Sequence, residues 1–117
     1  MSSNIVIYHN PACGTSRNTL ALLREKGLEP TVVEYLKAGW TREQLQGLLA
    51  KMGVKAKDIL RERGTKAAEL GLTEPGVSDE TIIAAMVADP ILVNRPIVDT
   101  PKGAALCRPV DVVLTLL

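Results

Sequence analysis

The stretch Asn4-Ile5-Val6-Ile7-Tyr8-His9-Asn10-Pro11-Ala12-Cys13-Gly14-Thr15-Ser16-Arg17-Asn18-Thr19-Leu20 decides how the rest of the chain is read. Its apolar run over 4–8 predicts a mostly buried strand, ended by His9-Asn10-Pro11. A glycine-containing turn over 12–16 follows. Leu20, Ala21 and Leu23 then begin a helical stripe, which Gly27 stops at the C′ position where glycine is favoured. The β-branched run Thr31-Val32-Val33-Glu34-Tyr35 predicts a second strand. Strand, turn, helix and strand make a βαβ unit, expected to be right-handed with parallel strands.

Outward from this unit the middle of the chain reads as helical. Thr41-Arg42-Glu43-Gln44 fits a capping box, and Leu45, Leu48, Leu49 and Met52 follow at helical spacing until Gly53. Residues 55–63 and 65–70 read as shorter helices separated by Gly64. Ser78 caps another helix, in which Asp79 and Glu80 suit the dipole and Ile82, Ile83, Met86 and Val87 share a face; Asp89-Pro90 closes it. The last third turns extended. Arg95-Pro96-Ile97-Val98-Asp99, a turn at Pro101-Lys102-Gly103, and Ala104-Ala105-Leu106-Cys107 predict a hairpin. Pro96 just before a strand implies an edge position or a cis bond. Val110, Val113, Leu114 and Leu117 predict one face of a terminal helix. The order is that of an α/β sandwich of the thioredoxin-like type, β-α-β, helical insertion, β-β-α, with a four-stranded mixed sheet. It is read as a single domain over 1–117, with the helical insertion at about 41–89.

Composition narrows the function. The chain has 117 residues, enough for one domain. A net charge of +1, from 14 Lys+Arg against 13 Asp+Glu, gives no global mark of a nucleic-acid or polybasic membrane binder. Aromatics are 3% with no Phe, which disfavours a base-stacking surface and leaves an aliphatic core. Met1-Ser2-Ser3-Asn4 lacks a basic leader region, and 5–8 is too short for a leader core or a membrane span. Only two cysteines, far apart, argue against a secreted disulfide scaffold, so the expected location is cytoplasmic.

Cys13 stands out by position. In the loop between the first strand and the first helix, backbone N–H groups and the helix dipole converge near its sulfur. That setting favours thiolate over thiol, and the same donors can hold an oxyanion. The plainer reading is a small buried hydrophobe. Its neighbours exclude several thiol chemistries. Ser16 makes the motif C-x-x-S, unable to close the local disulfide of a dithiol oxidoreductase. Thr19 stands where a cysteine-phosphatase loop needs arginine. His9 is near, but no acidic partner in the motif completes a protease-like pairing. A single thiol remains, which must receive its second reducing equivalent from outside the chain. Cys107 reads as a packed strand residue.

The segment from Tyr8 to Leu20 resembles the active-site segment of the glutathione- and glutaredoxin-coupled arsenate reductases, of the thioredoxin-like superfamily. The resemblance continues through Ile59-Leu60-Arg61, Glu69-Leu70-Gly71-Leu72, Asn94-Arg95-Pro96-Ile97-Val98 and Leu106-Cys107-Arg108-Pro109. It implies a nucleophilic Cys13, with Arg61, Arg95 and Arg108 around the oxyanion. The chemistry gives such arginines a purpose: a thiolate attacking arsenate brings two anions together, and planar guanidiniums neutralise the repulsion while bonding oxygens in pairs. Taken singly, Arg61 could be part of a solvated basic face with Lys55, Lys57 and Arg63. Arg95 and Arg108 each precede a proline, a context that holds the backbone extended.

The supporting residues are His9, Gly14, Thr15, Ser16 and Arg17. Arg17 could reach the thiolate or the anion, Ser16 could hydrogen-bond the sulfur, and His9 could tune it; each could equally stabilise the loop. The resemblance implies that arsenate is reduced to arsenite through a Cys13 adduct, with glutathione as co-substrate and glutaredoxin resolving the mixed disulfide. No bound cofactor or metal is expected, since no ligand cluster or phosphate loop is present. The expected partners are arsenate, glutathione and glutaredoxin, with no nucleic acid and no membrane, and the expected state is a monomer. The rival readings are a thioredoxin-like regulator binding RNA polymerase and a glutaredoxin-like thiol transferase.

Overall fold

The computed structural model describes residues 4–117, so Met1, Ser2 and Ser3, part of the leader reading above, lie outside the described residues. These form two compact units, one of residues 4–38 and 95–117 and the other Gly39–Asn94.

The first unit carries a four-stranded mixed sheet in the order β2-β1-β3-β4. Its strands are β1 (Val6–His9), β2 (Thr31–Glu34), β3 (Ile97–Thr100) and β4 (Gly103–Leu106). β1 runs parallel to β2 and antiparallel to β3, and β4 closes the expected hairpin with β3. Helix α1 (Gly14–Glu25) connects β1 to β2. It ends as its sequence requires: Gly27 has φ +80°, Leu28 N–H returns to Leu23 O at 3.1 Å, and Gly27 N–H bonds Arg24 O at 2.9 Å. Ile5, Ile7, Leu20, Leu23, Val98, Cys107, Val113 and Leu116 form one buried cluster. Of the expected α1 stripe Leu20 and Leu23 are buried and Ala21 is exposed, and the buried side of the first turns is Ser16 and Thr19. Both bonds Arg95-Pro96 and Arg108-Pro109 are cis. Since β3 is an interior strand, Pro96 takes the cis alternative rather than the edge one.

Three local expectations are corrected in this unit. Tyr35 does not extend β2 but opens a one-turn helix, α2 (Tyr35–Ala38), with its ring fully buried. β1 runs over Val6–His9 rather than 4–8, with His9 inside the strand because its backbone stays paired with Glu34 of β2. The terminal segment Val110–Leu116 is 3₁₀ rather than α-helical. Three residues per turn place Val113 and Leu116 inward and leave Leu114 45% exposed, so the stripe has period three.

The second unit holds α3 (Arg42–Met52) and α4 (Asp79–Ala88). The Thr41 capping box is complete: Gln44 N–H bonds Thr41 Oγ1 at 3.1 Å and Thr41 N–H bonds Gln44 Oε1 at 2.9 Å. Ser78 Oγ accepts Thr81 N–H at the head of α4. Val87 proves to be exposed while Ile82, Ile83 and Met86 are buried. The helices expected over 55–63 and 65–70 are not formed: only Ala56–Ile59 winds, as 3₁₀, and 65–70 is a series of turns. The reason lies in where the backbone bonds go. Leu60 pairs with Val93 in an isolated bridge, Arg61 N–H bonds Leu92 O at 2.7 Å, and Asn94 N–H bonds Ile59 O at 2.8 Å. A short extended pairing thus takes the donors and acceptors that a helix through Arg61 would need.

Candidate active site

Cys13 is the N-cap of α1, with extended backbone (φ −95°, ψ 123°). Its N–H bonds Asn10 O and its carbonyl accepts Arg17 N–H, both at 3.0 Å, so the residue is fixed on both sides. The sulfur therefore faces the first turn of a helix, whose N–H groups have no partner within the helix. The Cys13 side chain accepts no capping hydrogen bond from this turn, and the Ser16 backbone N–H acts on the sulfur by favouring its anion. Arg108 Nη1 approaches it at 3.8 Å while also donating to Arg95 O at 3.0 Å.

Electrostatics follow from these contacts. Burial works against a Cys13 thiolate, but the Ser16 N–H, the hydrogen bond and charge of Arg95, and the Arg108 guanidinium outweigh it; the thiol lies below its ordinary value. At His9, burial is the main influence and lowers the imidazole pKa; Arg24 and Arg17 act the same way and Glu34 opposes them. His9 thus favours its neutral form.

His9 shares the inward face of β1 with Ile7, which points it at α1. There its Nδ1 and Ser16 Oγ share a hydrogen bond of 2.6 Å, and Ser16 Oγ also accepts Asn10 N–H at 3.0 Å. The Ser16 hydroxyl, expected near the sulfur, is thus engaged inside the unit, while the backbone N–H of the same residue favours the thiolate. Arg17 Nη1 donates to Pro11 O at 2.9 Å and spans the loop. Thr15 O accepts Thr19 Oγ1 at 2.8 Å. At Gly14 an added Cβ would meet Arg17 Nη2 at an ordinary 3.7 Å, so sterics do not demand glycine there.

Cys13, Ser16, His9, Arg95 and Arg108 are brought together within the first unit. Arg61 belongs to the second, half-buried in the extended pairing described above. Cys107 lies one residue past β4, fully buried in the aliphatic cluster. Burial, partly offset by a bond from the Val98 backbone, pushes its thiol up to about 12. Its neighbour Arg108 turns the other way, toward Cys13. Sequence reasoning missed Asn10, 6% exposed, whose side chain and both backbone polar groups serve the loop. The Asn-Pro pair at the end of a strand was the available signal for it. Among the described residues no group of three or more His, Cys, Asp or Glu side chains could hold a metal ion. No helix among them is long and apolar enough to cross a membrane.

A cysteine at the head of a helix, on a mixed four-stranded sheet, with two guanidiniums favouring its anion, places the chain in the thioredoxin-like class. The comparisons sharpen this. The ArsC family matches residues 8–116, and the chain belongs to that family. It is 55% identical over 113 residues to an arsenate reductase of Rhizobium meliloti (strain 1021), covering 97% of this chain and 81% of that protein. It is 58% identical over 113 residues to arsenate reductase ArsI2 of Synechocystis sp. (strain ATCC 27184 / PCC 6803 / Kazusa), with the same coverage. A solved arsenate reductase from Vibrio cholerae superposes with a TM-score of 0.94 at 37% identity, over 100% of both chains.

Proposed function

We propose that this chain reduces arsenate to arsenite, with the Cys13 thiolate as nucleophile and glutathione and glutaredoxin as reductants. The observation that carries the reading is the Cys13 sulfur at the head of α1, with the Arg108 guanidinium 3.8 Å away and the Ser16 N–H and Arg95 guanidinium favouring its anion. The family and the names of its relatives support arsenate as the substrate.

The thiolate attacks arsenic(V), a sulfur–arsenic bond forms, and an arsenate oxygen leaves as water after protonation. Glutathione thiolate then attacks the Cys13 sulfur. The electron pair of the sulfur–arsenic bond stays on arsenic, which departs as arsenic(III), and Cys13 is left in a disulfide with glutathione. Glutaredoxin thiolate takes the glutathionyl group and frees Cys13. Two thiols thus supply the two electrons, and no bound cofactor or metal takes part. Arg95 and Arg108 hold the oxyanion beside the sulfur, and Arg61 is the third arginine of this reading. The reaction proceeds in the cytoplasm, on a monomer.

Oxidation of NADPH, coupled through glutathione reductase, glutathione and glutaredoxin, tests the reading. Arsenate-dependent turnover is the expected result. Turnover on a small disulfide without any response to arsenate would make the chain a thiol transferase. Silence in both assays would favour a non-enzymatic, polymerase-binding regulator.

A further inference from the structure

Residues 10–13 deliver the sulfur to the helix, and one side chain in this turn has no part in the chemistry proposed above. We propose that Asn10 is a positioning residue for Cys13: its side-chain carbonyl, by holding Ala12 N–H, sets the turn that presents the sulfur to α1. The inference rests on the reading of Cys13 as the reactive thiol.

Asn10 makes three bonds into the loop, each at 3.0 Å. Its Oδ1 accepts Ala12 N–H, its carbonyl accepts Cys13 N–H, and its own N–H donates to Ser16 Oγ. The last two use the backbone, and any residue could make them. The first needs a short side-chain acceptor, and asparagine supplies one two residues before the donor, the geometry of an Asx turn. Pro11 has no N–H, so Ala12 carries the first donor the turn can offer. Ala12 and Pro11 are exposed, whereas Asn10 and Cys13 are buried at 6% and 8% exposure. Asn10 therefore anchors an outer corner of the loop to the inside of the unit. Without Oδ1 the Ala12 N–H turns to water and this corner is released. The sulfur's contact with Arg108 Nη1, at 3.8 Å, is already long, and the pull of the Ser16 N–H on the thiolate depends on direction. Small rotations of the turn weaken both, while the arginines that hold the anion stay in place.

The experiment is the pH profile of iodoacetamide alkylation at Cys13, read by mass spectrometry on the full chain. Asn10→Ala and Asn10→Leu remove the acceptor, the first with a smaller and the second with a larger apolar side chain; Asn10→Ser supplies a hydroxyl that closes the same turn more weakly. The expected midpoint rises toward the free-cysteine value of about 8.5 in Asn10→Ala and Asn10→Leu, with Asn10→Ser in between. In steady-state assays kcat should fall several-fold while KM for arsenate stays nearly constant. A folded Asn10→Ala or Asn10→Leu chain with the unsubstituted midpoint overturns the proposal. Should neither variant fold, the scalar coupling across the hydrogen bond between Asn10 Cγ and Ala12 N, measured in the unsubstituted protein, decides: its presence supports the turn and its absence overturns it. An unsubstituted midpoint at the ordinary value would instead defeat the reactive-thiol reading itself. A low unsubstituted midpoint that no variant moves defeats only the role of Asn10.

Discussion

Cys13 and Cys107 are both free and nearly inaccessible thiols, at 8% and 0% exposure, yet their chemistry diverges. Burial pushes both toward the neutral form. At the head of α1 a backbone N–H and two guanidiniums reverse that push; past β4 the sulfur meets Ile, Leu and Val side chains and a single backbone donor. The lesson is that exposure does not rank these thiols; the donors aimed at each sulfur do.

The largest test of this contrast replaces each sulfur by oxygen. Cys13→Ser should abolish arsenate-dependent NADPH oxidation, because an alcohol is not ionised at neutral pH, whereas Cys107→Ser should keep most of it. Equal losses in two folded variants, checked by circular dichroism, would mean that the thiols act together.

Next come the donors. Arg95→Ala and Arg108→Ala should each lower kcat/KM by roughly 10²–10³, the usual loss for one charged donor at a developing oxyanion. Lysine at either position should restore part of this, since charge returns without the two-pronged geometry. The corresponding pair in the second unit is Arg61→Ala, expected to be severely impaired, and Arg63→Ala, expected to be nearly normal. Equal, modest losses there would make Arg61 part of a diffuse basic field.

The pH behaviour of the two thiols should separate them more gently. Alkylation of Cys13 should have its midpoint below the free-cysteine value of about 8.5, and sulfate or phosphate should slow it by occupying the anion site. Linkage runs in opposite directions for the two groups. The depressed Cys13 thiol contributes stability above its unfolded value, lost as pH falls through its folded one. The raised Cys107 thiol contributes stability below its unfolded value, lost as pH rises toward about 12. Denaturant midpoints of the native chain and of Cys107→Ala should therefore converge at alkaline pH. A constant difference between them across that range would show that Cys107 ionises as readily folded as unfolded. The smallest effect expected is that of Cys107→Ala on turnover near neutral pH, within about twofold of the native rate, since the loss of one buried sulfur acts mainly on stability.

Much of this contrast was legible beforehand, in particular places. The strand–turn–helix reading around Cys13 depended on an apolar run and a glycine stop at Gly27, both local signals. The capping box at Thr41 and the hairpin over 97–106 were equally local. What escaped the sequence was non-local. The stretch around Arg61 reads as helical until Leu92, Val93 and Ile59 are known to share its backbone bonds. The terminal stripe fits periods of both 3.6 and three residues, and only packing against the aliphatic cluster selects the second. At the site, Cys13 was visible by its position, and the arginines only through resemblance. Ser16 stands out in the sequence for its hydroxyl, whereas it is its backbone N–H that favours the Cys13 thiolate. Asn10 stays hidden in the sequence because an Asx turn within a loop reads as ordinary punctuation.

Cys107 and Arg108 are consecutive and face opposite ways, one into the aliphatic cluster and the other toward the reactive sulfur. Their backbones are tied down as well, Cys107 N–H to Pro96 O at 2.9 Å and Arg108 N–H to Leu106 O at 3.0 Å. The pair therefore works as a short lever whose fulcrum is the end of β4. For protein engineering this means that thermostability and anion affinity are not independent design variables at this corner. A bulkier residue at 107, chosen to tighten the core, would tilt the guanidinium at 108 and register as a weaker grip on the substrate. Libraries that repack this core should be screened for catalysis and melting temperature together.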